Sequence, residues 1–76
     1  MEIRKVVGKN VRAFRHWRGL SQVELGQKSK LHRVYIGAIE RGEQNVSLDN
    51  ILKIADALDI QSHILLIEDA FRWIKK

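Results

Sequence analysis

The 76-residue sequence contains no cysteine and no proline. Without cysteine there is no disulfide framework and no thiolate metal site, so the fold must rest on apolar burial or on association with another chain. A composition of 45% hydrophobic and 30% charged residues with no proline belongs to an ordered domain, expected to be all-helical. No apolar run approaches the roughly 18 residues of a membrane span, and Met1-Glu2-Ile3-Arg4-Lys5 leads into no signal-peptide core. A cytoplasmic location is the resulting expectation. One small domain is the ceiling at this length, because so short a chain buries only about 60% of its unfolded surface.

Enzyme signatures are missing as well. His16, His32 and His63 are scattered, with no pair at i and i+4 and no cysteine beside them, so no metal face is expected. No serine sits in a nucleophile elbow, no glycine-rich loop cradles a phosphate, and the carboxylates fall mostly on solvated helix faces or near helix starts. The expectation is therefore no enzyme, no cofactor and no small-molecule substrate. Trp17 and Trp73 are read as core or interface anchors in preference to base-stacking platforms.

Positive charge is plentiful. Fourteen Lys and Arg against nine Asp and Glu leave a net charge of +5, which favours a polyanionic partner. Its arrangement follows helical periodicity. Ile3, Val7, Val11, Phe14 and Trp17 form an apolar stripe, while Arg4, Lys5, Lys9, Arg12, Arg15 and Arg18 lie across from it. The basic side is either a solvated face or a phosphate-contacting one. Gly19 closes this first helix.

Ser21 with Glu24 reads as a capping box, which starts a short second helix at roughly Gln22 to Lys28. A third helix should begin near His32 or Arg33 and end at Gly42, with Leu31, Ile36 and Ile39 inward. Ser47 caps a fourth, whose stripe is Leu48, Ile51, Leu52, Ala55 and Leu58, with Asp59 and Ile60 at its exit. Ser62 is read as capping a last helix over about 62–76, too apolar for a single buried face. Ile64, Ile67, Phe71 and Ile74 are expected to face the domain, and Leu66, Ala70 and Trp73 to face a second copy as a dimer interface.

Between Gln22 and Arg41 the spacing suits two short crossing helices. Gly26 provides the small contact, and Leu25, Leu31, Ile36 and Ile39 the inward positions. The exposed start of the second helix then projects Arg33 and Val34, and an arginine there matches the acceptors of a base edge in a DNA major groove.

Across about residues 6–60 the chain resembles the Xre and lambda-repressor-like helix-turn-helix family. The likeness is carried by Gly-Leu-Ser-Gln at 19–22, Ile-Glu-Arg-Gly-Glu at 39–43 and Asn-Val-Ser-Leu at 45–48. His32-Arg33-Val34-Tyr35-Ile36-Gly37, followed by residues 39–43, is most similar to controller proteins of restriction-modification operons. The resemblance implies a five-helix lambda-repressor-like domain over residues 1–76, in which Arg33 and Val34 meet base edges while Gly37 and Ala38 pass close to the groove. It further implies backbone contacts from Gln22, His32, Tyr35, Arg41, Gln44 and Asn45, and an internal salt bridge between Arg15 and Glu40. Lys30 stands where the turn often has glycine, and Val46 where proline is frequent. A lysine at positive φ costs about 1 kcal/mol, so a slightly different turn is expected.

The partner implied is double-stranded DNA with a roughly palindromic operator, bound by a homodimer whose half-sites lie about 10 to 10.5 base pairs apart or a multiple of that. Two other readings stand beside a restriction-modification controller. One is a phage-type or other Xre repressor; the other is an antitoxin-like protein-interaction module whose apolar C-terminal face grips a different chain.

Overall fold

The computed structural model describes residues 2–74 as five α-helices and one 3-10 segment, with no strand among them. Helix α1 spans Ile3–Trp17, α2 Gln22–Ser29, α3 Arg33–Glu40 and α4 Leu48–Leu58. The 3-10 segment is Ser62–Leu66, and α5 is Ala70–Ile74. Residues 75 and 76 of the expected last helix, and the side chain of Ile74, lie outside what is described.

The apolar stripe of α1 supplies Val7, Val11 and Phe14 to a core completed by Leu25, Ile36, Ile39, Ile51, Ile54, Leu58 and Leu65. Burying each such side chain is worth about 1.5–3 kcal/mol relative to leaving it in water. Ile3 and Trp17 lie on the same stripe, yet 43% and 45% of their surfaces stay exposed. Gly8 was not singled out by pattern, because its role is a contact between helices. A Cβ there would collide with the Ile39 carbonyl oxygen and come within 2.9 Å of that of Glu40, so α1 and α3 touch backbone to backbone. Gly26 does the same for the α2–α3 crossing, where a Cβ would sit 2.6 Å from the Leu31 carbonyl oxygen.

Three expectations need correction. Lys30 does adopt the left-handed conformation, with φ 62°, so the turn is the ordinary one and the lysine carries its conformational cost. On α4 the buried face is Ile51, Ile54, Ala55 and Leu58, whereas Leu48 and Leu52 are 78% and 51% exposed. The C-terminal segment is not one helix, and Ser62 is not its cap. Gln61 occupies the cap position of the 3-10 segment without a side-chain hydrogen bond, and Asp69 at φ 57° breaks the chain before α5.

That break changes which residues face inward. Leu65 and Ala70 are fully buried, so Ala70 belongs to the core and not to an interface. Ile67, expected inward, is 42% exposed; Leu66 and Trp73 remain outside as expected. The cause is Asn10 on α1, itself 2% exposed, whose amide donates to the carbonyls of Leu65 at 2.9 Å and Ile67 at 2.8 Å. Buried carbonyls must find donors, and a single side chain here satisfies two of them at the bend.

Candidate nucleic-acid interface

Helix α2 begins as the capping box predicted. The Glu24 backbone N–H donates to Ser21 Oγ at 3.0 Å, and the Ser21 N–H donates back to the Glu24 carboxylate at 2.8 Å. That bond from Ser21 holds the Glu24 carboxyl below the usual carboxylate range. The cap's contribution is thus present above the carboxylate's unfolded pKa and lost as pH falls through its lowered folded value. After Lys30 the Leu31 N–H returns to the Gly26 carbonyl at 2.9 Å, and the chain turns into α3.

His32 caps α3, its Nδ1 accepting the Val34 N–H at 3.0 Å. An accepting Nδ1 puts the ring proton on Nε2, which therefore points a donor away from the helix. The ring has a structural duty in addition to the backbone contact expected of it. Arg33 and Val34 form the exposed first turn, with 63% of Val34 accessible.

Gly37 and Ala38, by contrast, are covered. A Cβ on Gly37 would lie 3.3 Å from both Gln22 Oε1 and Arg41 Nη1, so those side chains roof the glycine; Ala38 is 8% exposed. The close approach to a groove that the resemblance implies for them would be through backbone and a methyl, beneath the side chains of Gln22 and Arg41 at Gly37. The accessible candidates for base contact on α3 are Arg33 and Val34.

Behind this surface lies the expected ion pair. Arg15 Nε and Nη2 donate to the Glu40 carboxylate at 2.6 and 3.0 Å, the two side chains being only 10% and 4% exposed. Arg15 Nη1 also donates to the Leu20 carbonyl at 2.9 Å. Gln22 Nε2 reaches Glu40 Oε1 at 3.1 Å, so the first residue of α2 is tied to the last residue of α3 through the same carboxylate. The resemblance implies that Gln22 meets a phosphate and braces the recognition helix; its bond to Glu40 ties it to α3.

Tyr35 is half-buried, and its hydroxyl accepts from Asn50 Nδ2 at 3.0 Å, which leaves the O–H to donate outward. Asn50 went unnoticed in the sequence because its partner is distant along the chain. Gln44 is half-buried and Asn45 exposed in the connection to α4. Arg41 is exposed and paired with Glu43, Nε to Oε2 at 2.9 Å and Nη2 to Oε1 at 3.2 Å. That guanidinium holds the Glu43 carboxyl below its ordinary range. A phosphate at Arg41 competes with this carboxylate. Glu43→Gln should accordingly tighten binding to all DNA sequences by a few-fold, a small effect because the pair is exposed. Titration of scrambled duplex checks it; unchanged affinity would mean that Arg41 does not meet DNA.

A short helix presenting an exposed arginine, set across a second helix that a buried carboxylate ties to it, is the architecture of a DNA-binding helix-turn-helix regulator. The chain belongs to the Helix-turn-helix family (HTH_3), whose model matches residues 11–65. Its relatives are regulators and not enzymes, and this chain is a regulator of the expected Xre-like kind. It is 39% identical over 72 residues to control protein C.SmaI of Serratia marcescens, covering 95% of this chain and 86% of that protein. With control protein C.BamHI of Bacillus amyloliquefaciens it shares 49% identity over 65 residues, 84% of this chain and 80% of the relative. The crystal structure of the restriction-modification controller protein C.AhdI from Aeromonas hydrophila matches with a TM-score of 0.79 and 48% identity, covering 82% of this chain and 94% of the other. No helix among the described residues is long and apolar enough to cross a membrane.

Proposed function

We propose that the protein is a restriction-modification controller that binds a roughly palindromic double-stranded DNA site in its own operon as a homodimer, in the cytoplasm. The observation that carries this reading is the exposed Arg33–Val34 turn, braced through Gln22, Glu40 and Arg15. Similarity to control proteins over most of their length supports the controller subtype. In this reading Arg33 and Val34 read base edges, while Gln22, His32, Tyr35, Arg41, Gln44 and Asn45 engage phosphates.

Two-fold pairing draws on the apolar surface left uncovered by the monomer. Leu66 and Trp73, 41% and 66% exposed, retain the interface role expected of them, and Leu48, Leu52 and Ile67 join them in place of Ala70. Molecular mass in solution tests this, a stable monomer at micromolar concentration being the contrary result.

Selection of bound sites from random duplexes tests the function as a whole. Inverted half-sites at a fixed spacing are the expected yield; failure to enrich any site would favour the protein-interaction reading. On the selected site, Arg33→Ala should remove about 1–3 kcal/mol of discrimination while non-specific affinity is nearly retained. Gel shifts on specific and scrambled DNA distinguish the cases. Equal losses on both would make Arg33 a phosphate ligand and not a reader.

A further inference from the structure

We infer that the outward face of α1 is a second phosphate-contacting surface, which engages the backbone of the bound duplex beyond the edge of the half-site. The inference rests on the DNA-binding reading above and extends it to residues outside the helix-turn-helix.

Lys5, Lys9, Arg12 and His16 are all exposed and recur at intervals of four, three and four, so they share one side of the helix. Around Ala13, the last three of them line an open depression of about 390 Å³. No acidic residue lies within α1 itself. Among the described residues no carboxylate oxygen comes within 4.0 Å of Lys5, Arg12 or His16; Lys9 has Asp69 at 3.9 Å, and both of those side chains are largely solvated. The like charges of Lys5, Lys9 and Arg12, four and three residues apart, repel along the helix, an arrangement that a polyanion relieves; His16, whose Nε2 lies 3.2 Å from Arg15 Nη2, adds a polar group at the end of the stripe.

Its position selects which polyanion. At one end the stem of Lys5 packs on Gly42, where a Cβ would lie 3.0 Å from Lys5 Cγ. Gly42 follows Arg41, whose guanidinium lies over Gly37 on α3. The basic stripe is therefore continuous with the margin of the proposed DNA face. From Lys5 to His16 it runs about 17 Å at the helical rise. That length matches about five base pairs along one strand. A duplex continuing past the half-site is the occupant this continuity supports.

The test compares the full chain on two forms of its selected site, one trimmed at the half-site edges and one carrying about ten further base pairs on each side, over a salt series. Wild-type protein should bind the longer duplex about ten-fold more tightly at low salt and with a steeper salt dependence. Lys9→Ala/Arg12→Ala should lose that gain, and its logarithmic salt slope should fall by about 1.8 per protomer, or 0.9 for each phosphate released. Lys28→Ala/Lys53→Ala removes the same charge from exposed sites elsewhere and should keep the gain. Should the alanine pair weaken folding, Lys9→Gln/Arg12→Gln retains the helix-favouring stems and must give the same loss. Persistence of the flank effect in the α1 variant, or its equal loss in the control pair, overturns the inference. Tight wild-type binding to the trimmed duplex with no gain from flanks overturns it alone. No wild-type binding to either duplex brings down the DNA-binding reading with it.

Discussion

Glu40→Ala should cost the domain about 3–5 kcal/mol of folding stability, because it strands the Arg15 guanidinium in an interior that is only 10% open to water. At the usual 0.05–0.15 kcal/mol per residue, a chain of this length has about 4–11 kcal/mol to lose. The variant should lose a large share of that stability, and urea denaturation will read the shift. The buried pair does not thereby become a net source of stability. Replacing both members together, Arg15→Met with Glu40→Leu, should restore most of the loss, since apolar side chains of similar volume avoid the desolvation of both charges. Affinity for DNA should not recover to the same degree, because Gln22 loses the carboxylate that holds its amide at 3.1 Å. Full recovery of both properties would show that the pair positions nothing.

Phe14→Ala should be of similar size, about 3–5 kcal/mol, through lost transfer energy and the cavity left behind. Phe14 is completely buried, and its ring meets Trp17 edge-on at 6.0 Å and Phe71 at 5.3 Å. Phe71 belongs to α5, so the substitution loosens the attachment of the C-terminal segment as well as the centre of the core. The denaturation midpoint should drop sharply with its slope nearly unchanged, as for lost packing in a two-state domain. Proteolysis within residues 67–74 should accelerate more than within α2 and α3. A uniform increase would instead indicate that α5 does not depend on this ring cluster.

The two substitutions act on different parts of the function. Glu40 lies behind the helix-turn-helix and governs how α2 and α3 present their first residues. Phe14 anchors the region from which Leu66, Ile67 and Trp73 emerge as exposed apolar surface. A regulator of this size uses one small core to hold both surfaces.

Much of this was legible in the sequence. The capping box at Ser21 and Glu24, the inward Leu25, Ile36 and Ile39, and the exposed Arg33 and Val34 follow from helical period and cap chemistry, which act within a few residues. The Arg15–Glu40 pair came from family resemblance, since nothing in 25 residues of separation announces it. Asn10 and Asn50 passed unnoticed for the same reason: the groups they bind arrive from distant parts of the chain.

Local rules thus determined the four principal helices and the exposure of Arg33 and Val34 at the start of α3, although not the turn at Lys30. Only the tertiary structure decided what lies against what. Gly8 matters because the α3 backbone leaves no room for a Cβ, Gly37 is roofed by Gln22 and Arg41, and the break at Asp69 sends Ala70 inward while leaving Ile67 outside. Periodicity assigns a face to each residue of an unbroken helix. Where the helix breaks, hydrogen bonding by a residue more than fifty positions away sets the new phase, and the pattern of hydrophobicity no longer carries that information.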